Sequence, residues 1–264
     1  MDLEIDSTDI WVVLGKRRAG KTELLRVLSK SIPCDRLRVV DPVGELGNRL
    51  GVPYHKVFGN KQADSFWGDL YREGETRHKE GKDERHLIAL DEADEHADMG
   101  GRMQSSNFYR LVNYGRNFDF GLLAASRRPA NLPKDFLSNA DHLCIFRFTE
   151  PNDVDYLAGI IGDLIEKVKV LPDHVFVLYD PPSSVPYKGL WTVQGDSIVR
   201  WRPTQSPQET PTDEGGASSV TSSSTDINAV PDAPTTTDSI GERPHGAEPP
   251  SGQPDKSSLR LKDS

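Results

Sequence analysis

Eight residues, Gly15-Lys16-Arg17-Arg18-Ala19-Gly20-Lys21-Thr22, follow the apolar run Ile10-Trp11-Val12-Val13-Leu14 and set two glycines, a lysine and a hydroxyl at the spacing phosphate chemistry needs. Gly15 and Gly20 allow backbone N–H groups to turn inward around phosphate oxygens, where a Cβ would clash or demand a costly positive φ. Lys16, Arg17, Arg18 and Ala19 form the arc between them. Lys21 supplies a point charge to the terminal phosphates and Thr22 a hydroxyl to the nucleotide's magnesium, while a helix opening at Lys21 adds its positive end. A Gly/Lys-rich surface turn could match the pattern by chance. The strand before it and the periodic segment Glu23-Leu24-Leu25-Arg26-Val27-Leu28 after it supply the context such a turn lacks. The expectation is a phosphate-binding loop over residues 15–22, with ATP and Mg2+ as cofactors.

A second constellation lies about 65 to 70 residues on. His86-Leu87-Ile88-Ala89-Leu90 is an apolar strand that runs into Asp91-Glu92-Ala93-Asp94. Ligands of a doubly wound sheet sit beyond the carboxyl ends of its strands, so Asp91 is expected to emerge beside the strand feeding the phosphate loop. There Asp91 can hold a water on the magnesium, and Glu92 can orient or deprotonate the water that attacks the γ-phosphate. Acids at a helix N-terminus after a buried strand are the competing reading. An adjacent Asp-Glu pair favours hydrolysis, since a small-molecule kinase must keep water out.

These groups need a scaffold, and the chain alternates short apolar runs with amphipathic segments, the pattern of a mainly parallel α/β sheet flanked by helices. Strands are expected near 10–14, 37–41, 86–91, 119–126, 142–148, 174–179 and 189–194, with a last apolar run at 197–201. Helices are expected near 21–31, 61–79, 103–117 and 151–168, the last interrupted around Gly162. Residues 1–202 form one domain of ordinary size in this reading. Residues 203–264 hold no Phe, Trp or Tyr, nine Pro, ten acidic and four basic residues. Such a segment buries too little apolar surface to offset its ordering entropy, and it reads as a disordered acidic tail.

The chain of 264 residues carries a net charge of −9, and the tail accounts for −6 of it. A globally basic nucleic-acid binder is therefore excluded, and any contact with DNA must be local. Arg72, Arg77, Lys79, Lys82 and Arg85 cluster, but acids interleave with them, so a solvated helix end competes with a binding patch. The two cysteines, Cys34 and Cys144, have no metal-ligand spacing and fit a reduced, intracellular setting. No secretory signal and no apolar run of about 18 residues is present, so no intrinsic membrane insertion is expected.

Several segments together resemble the FtsK–HerA superfamily of hexameric DNA-pumping ATPases, most of all the genome-packaging ATPases of membrane-containing icosahedral viruses. The resemblance spans roughly residues 9–182. It rests on the phosphate loop with its Gly-Lys-Arg opening, on Val39-Val40-Asp41-Pro42-Val43-Gly44-Glu45, on Leu90-Asp91-Glu92-Ala93, on Tyr114-Gly115-Arg116-Asn117, on Leu122-Leu123-Ala124-Ala125-Ser126-Arg127-Arg128-Pro129 and on Phe146-Arg147-Phe148-Thr149-Glu150-Pro151-Asn152-Asp153. It implies a RecA-like (ASCE) P-loop NTPase fold, a homo-oligomeric ring expected to be a hexamer, and double-stranded DNA as partner. It also implies contact with capsid or portal-vertex proteins, and a place in the host cytoplasm or at the virion's packaging vertex.

Arg116 is by resemblance the arginine finger that one subunit inserts into its neighbour's site, with Arg110 and Arg147 in reserve; a helix C-terminal Arg on backbone carbonyls competes. The family carries Gln where this chain has Arg127. A guanidinium can contact phosphate but cannot accept a hydrogen bond from water, which leaves Ser126 as the alternative polar sensor. Asp41 and Glu45 fit either a part in placing magnesium or water, or a turn after a strand. The phosphate loop begins only 14 residues from Met1, which favours the compact viral branch. A plasmid or mobile-element DNA transferase with the same core, and a nucleotide-gated scaffold recruiting through its tail, remain alternatives.

Overall fold

A computed structural model of the protein describes residues 8–57, 60–82, 84–97 and 102–202. The expected disordered tail, 203–264, lies outside the described residues. β1 (Ile10–Leu14) is buried at all five positions and leads through the glycine loop into α1 (Lys21–Ser29). Next come β2 (Leu37–Val40), α2 (Glu45–Leu50), β3 (Tyr54–His55), α3 (Asn60–Lys79) and β4 (His86–Leu90). After β4 follow α4 (Ser106–Tyr114), β5 (Phe120–Ser126), α5 (Lys134–Ser138), β6 (His142–Phe146), α6 (Pro151–Ile161) and α7 (Ile165–Lys169). A closing meander adds β7 (Val175–Tyr179), β8 (Tyr187–Gln194) and β9 (Ser197–Arg200).

The strands form one nine-stranded sheet in the order β3-β2-β4-β5-β1-β6-β7-β8-β9. Pairing is parallel from β3 through β6 and antiparallel from β6 to β9. Helices cover both faces, so inner strands read as continuous apolar runs whose residues alternate between two cores. Trp11 and Val13 join Leu24, Leu25 and Leu28 of α1. Ile10, Val12 and Leu14 join Trp67 of α3, Phe108 of α4 and Leu157 of α6.

Two expectations need correction. The strand bearing Asp91 is not beside β1: β5 lies between, its Leu122–Ser126 in register with Ile10–Leu14 and its Phe120–Ala124 with His86–Leu90. β5 is seven residues long and buried throughout, which suits a central position; apolar runs do not encode which strand neighbours which. The helix expected over 103–117 is shorter. It opens where Ser105 Oγ accepts a hydrogen bond from the Phe108 N–H at 3.0 Å and gives way to a 3-10 turn at Gly115–Phe118. The break at Gly162 is as expected: φ is +57° there, and a 3-10 turn joins α6 to α7. The short elements β3, α2 and α5 were not expected.

Candidate nucleotide site

The loop after β1 is tied to the end of β5 and folds back on itself. The Gly15 N–H donates to the Ser126 carbonyl at 3.2 Å, and the Ala19 N–H to the Lys16 carbonyl at 3.2 Å. Arg18 at φ +66° and Gly20 at φ +107° put two left-handed residues in the loop, the backbone shape that aims successive N–H groups into an anion-binding hollow. Both glycines are also crowded. A Cβ on Gly15 would lie 3.0 Å from Phe146 Cβ, and one on Gly20 would lie 3.2 Å from His174 Nδ1. The hollow opens into a cavity of about 580 Å³ whose lining includes Arg17, Arg18, Lys21, Thr22, Asp91 and Glu92, a size suited to a nucleotide.

Lys21, the first residue of α1, is buried, and its Nζ donates to the Lys16 carbonyl at 3.4 Å. Burial pushes its pKa down, against the pull of Glu92, Asp91 and Asp94. α1 carries Thr22 across to the end of β4, where Thr22 Oγ1 donates to Asp91 Oδ2 at 3.1 Å. The two proposed magnesium ligands therefore meet although their strands are not neighbours. Burial, and then the charge of Glu92, pushes the Asp91 carboxyl up to about 6.

A buried carboxylate with so little compensating charge, set against a hydroxyl, is a hard-oxygen donor pair that fits a divalent cation such as Mg2+. Among the described residues no group of three or more His, Cys, Asp or Glu could hold a metal alone. A cation on Thr22 and Asp91 would thus share its coordination with the nucleotide's phosphates, whose charge it would offset.

Glu92 stands at φ +53°, a left-handed conformation that turns the chain sharply out of β4 into the 3-10 turn Ala93–His96. Non-glycine residues held there cost free energy and mark sites the surroundings must enforce. Burial raises the Glu92 pKa, and Arg127 opposes that rise.

At the end of β5 the structure brings Ser126 and Arg127 to the same acids. Ser126 is fully buried; its Oγ donates to Asp94 Oδ1 at 3.0 Å and accepts the Arg128 N–H at 3.1 Å. Arg127 points its Nε toward Glu92 Oε2 at 3.5 Å and Asp94 Oδ2 at 3.7 Å, and its Nη2 toward Glu95 Oε1 at 3.8 Å.

Arg116 lies elsewhere. It sits in the turn before β5, and its guanidinium binds Asp141 and reaches the Thr8 carbonyl at 3.4 Å. The seven residues of β5 separate it from the phosphate loop, about 20 Å at the rise of a strand, so it cannot serve its own chain's nucleotide. Asp41 is a structural cap: its carboxylate accepts from the N–H groups of Val43, Gly44, Leu46 and Gly47 at 2.7 to 3.3 Å. Glu45 pairs with Arg49 at 2.8 Å on the rim of the cavity. In the basic segment, Arg72 pairs with Asp69, Arg77 with Glu73 at 2.5 Å and Lys82 with Glu80 at 2.8 Å, which favours the solvated helix end.

Two site residues escaped the sequence reading. Asp94, the partner of Ser126, was signalled by the acidic run it belongs to. His174 had no signal: it follows α7 by several residues, yet stands at φ +62° and lines both the nucleotide cavity and an adjoining one of about 430 Å³ formed with Lys16–Ala19, Phe146 and Arg147.

No protein-family model and no curated protein matches the chain. Solved structures do. The genome-packaging NTPase B204 of Sulfolobus turreted icosahedral virus 2, in complex with AMP, is 20% identical with a TM-score of 0.56, over 76% of this chain and 100% of that one. B204 of Sulfolobus turreted icosahedral virus, a DNA-packaging ATPase, is 22% identical with a TM-score of 0.54, over 66% and 94%. The cytoplasmic domain of the type VII secretion ATPase EccC of Thermomonospora curvata is 13% identical with a TM-score of 0.52, over 72% of this chain and 24% of that one. The chain has the fold of a P-loop ATPase, of the kind shared by these viral packaging and secretion enzymes.

Proposed function

We propose that the chain hydrolyses ATP and, as a subunit of a homo-oligomeric ring expected to be a hexamer, drives double-stranded DNA into a viral capsid. The contact between Thr22 and Asp91 at 3.1 Å, with Glu92 next in the chain, carries the hydrolytic part. It joins phosphate loop and acid pair in one cavity across an intervening strand. In this reading the loop N–H groups and Lys21 bind the phosphates, and Thr22 and Asp91 hold Mg2+. Glu92 takes a proton from the attacking water or orients it, and the water's oxygen replaces the bridging oxygen of ADP on the γ-phosphorus. Arg116 reaches the neighbouring subunit's nucleotide.

The packaging role is supported by the motif resemblance and by the fold shared with B204. Capsid or portal-vertex proteins are then its docking partners, and the host cytoplasm or the packaging vertex its location. No helix among the described residues is long and apolar enough to cross a membrane. Residues 1–202 form the motor, and the acidic segment 203–264 serves outside it. The test is ATP turnover with and without double-stranded DNA, together with the mass of the assembled species. Stimulation by DNA in a ring-sized assembly is expected; a monomer with DNA-independent turnover would overturn the motor.

A further inference from the structure

Arg116 is fastened at both ends. Its backbone sits in the Gly115–Phe118 turn, which the Asp119 N–H closes on the Arg116 carbonyl at 3.2 Å and which the His86 N–H ties to β4 through the Asp119 carbonyl at 2.8 Å. Asp119, at φ +61°, turns the chain from there into β5. The Arg116 guanidinium crosses to the start of β1, where Nη2 binds Asp141 Oδ2 and Nε donates toward the Thr8 carbonyl at 3.4 Å. Asp141 is itself fixed: the same Oδ2 accepts the Ile10 N–H at 2.9 Å, and the Asp141 N–H donates to the Ile10 carbonyl at 2.9 Å. Its side chain is 22% exposed, while the Arg116 side chain it holds is 50% exposed. A surface arginine ordinarily samples many rotamers, and a surface ion pair does little to restrain it. This one rests on a carboxylate pinned to the edge of β1, with half of its surface open to a partner. The contact does not serve the chain's own nucleotide, from which the length of β5 separates it.

We propose that Asp141 is a positioning residue for Arg116. Its carboxylate, anchored to the first residue of β1, orders the guanidinium at the surface of the free subunit, so the cation enters the neighbouring subunit's nucleotide site already aimed and little freedom is lost on arrival. Asp141 acts only through Arg116 and contacts no nucleotide. The proposal rests on the reading that Arg116 works in the neighbouring subunit.

The test uses the full chain with magnesium and ATP and reads kcat, KM and the mass of the assembled species. Asp141→Asn keeps an oxygen for the Ile10 N–H but removes the charge on which Arg116 rests. Its kcat should fall roughly tenfold or more, with KM within about twofold of the parent and the assembled mass unchanged. In an Arg116→Ala background the same change should cause no further loss. Asp141→Glu, which keeps the charge one methylene away, should retain more turnover than Asp141→Asn. Mixed with an excess of Glu92→Gln protein, each Asp141→Asn chain should regain turnover severalfold, because its neighbours then present an intact Arg116; a defect in its own fold would stay with it. Parent-like or faster turnover by Asp141→Asn, an additive loss in the double variant, the reverse order of the Glu and Asn variants, or no recovery in mixed rings that do rescue Arg116→Ala overturns the role of Asp141. Parent-like turnover by Arg116→Ala, or mixed rings that rescue neither variant, overturns instead the reading beneath it.

Discussion

Lys21 and Glu92 line one cavity, and their chemistry predicts opposite phenotypes. Lys21→Ala removes a buried cation from the phosphates and should weaken nucleotide binding by roughly tenfold or more. Glu92→Gln leaves the cradle intact and should bind ATP with magnesium yet lose about two to four orders of magnitude in turnover. Equilibrium binding beside steady-state turnover checks both, and a Glu92→Gln protein within a fewfold of the parent rate would remove Glu92 from catalysis. Most of this was legible in sequence, because a phosphate loop and an acid pair each impose their residue types on consecutive positions. Arg127 was legible as a departure, but its contact with three acids was not, since Glu92, Asp94 and Glu95 come together only through the turn that Glu92 starts at φ +53°.

At the scale of elements, the strands were readable because burial on both faces leaves unbroken apolar runs such as Ile10–Leu14 and Phe120–Ser126. α2 was not readable. It is six residues long with a glycine inside, and left-handed glycines at Gly44 and Gly51 bound it. Its stability is lent by Asp41, whose two carboxylate oxygens accept four backbone N–H groups in a buried setting. Asp41→Asn turns one acceptor into a donor facing two of those groups and should cost about 2 kcal/mol, a fall of roughly 4–8 °C in Tm for a domain of this size.

The 3-10 turn at Ala93–His96 adds a pH dependence. His96 packs against Trp67 and Phe108 with ring centroids 5.5 and 5.4 Å away, and burial pushes its pKa down to about 4 from 6.5, with Asp94 pulling the other way. Protonation therefore favours the unfolded chain. The contribution of His96 is complete above about pH 6.5 and is lost as pH falls toward 4, by at most ~1.4 kcal/mol per unit. Tm measured from pH 7 to pH 5 should fall, and His96→Phe should flatten that slope.

For the molecule as a whole, the distance of Arg116 from its own phosphate loop makes the proposed ring testable. Arg116→Ala should bind ATP normally and turn it over slowly. Mixed with Glu92→Gln protein it should regain activity, because about a quarter of the interfaces in a randomly mixed ring join an intact glutamate to an intact neighbouring arginine. Verified mixed rings without recovery would place the finger elsewhere. Strand order was the part of the whole that sequence did not reveal, because a seven-residue apolar run looks the same at any position in a sheet.

That order has a mechanical consequence. β5 is entered from the Gly115–Phe118 turn that holds Arg116 and is followed directly by Arg127, and along its length it is buried throughout and hydrogen-bonded to β4 on one side and β1 on the other. A strand clamped along both edges can neither stretch nor slip without breaking its ladders. It behaves as a stiff rod with a cation near each end, Arg127 beside Glu92 at one and Arg116 bound to Asp141 at the other. In the proposed ring, with Arg116 reaching the neighbouring nucleotide, such a rod would let the loss of one γ-phosphate be felt at the following site as a displacement, and firing would pass from subunit to subunit in one direction.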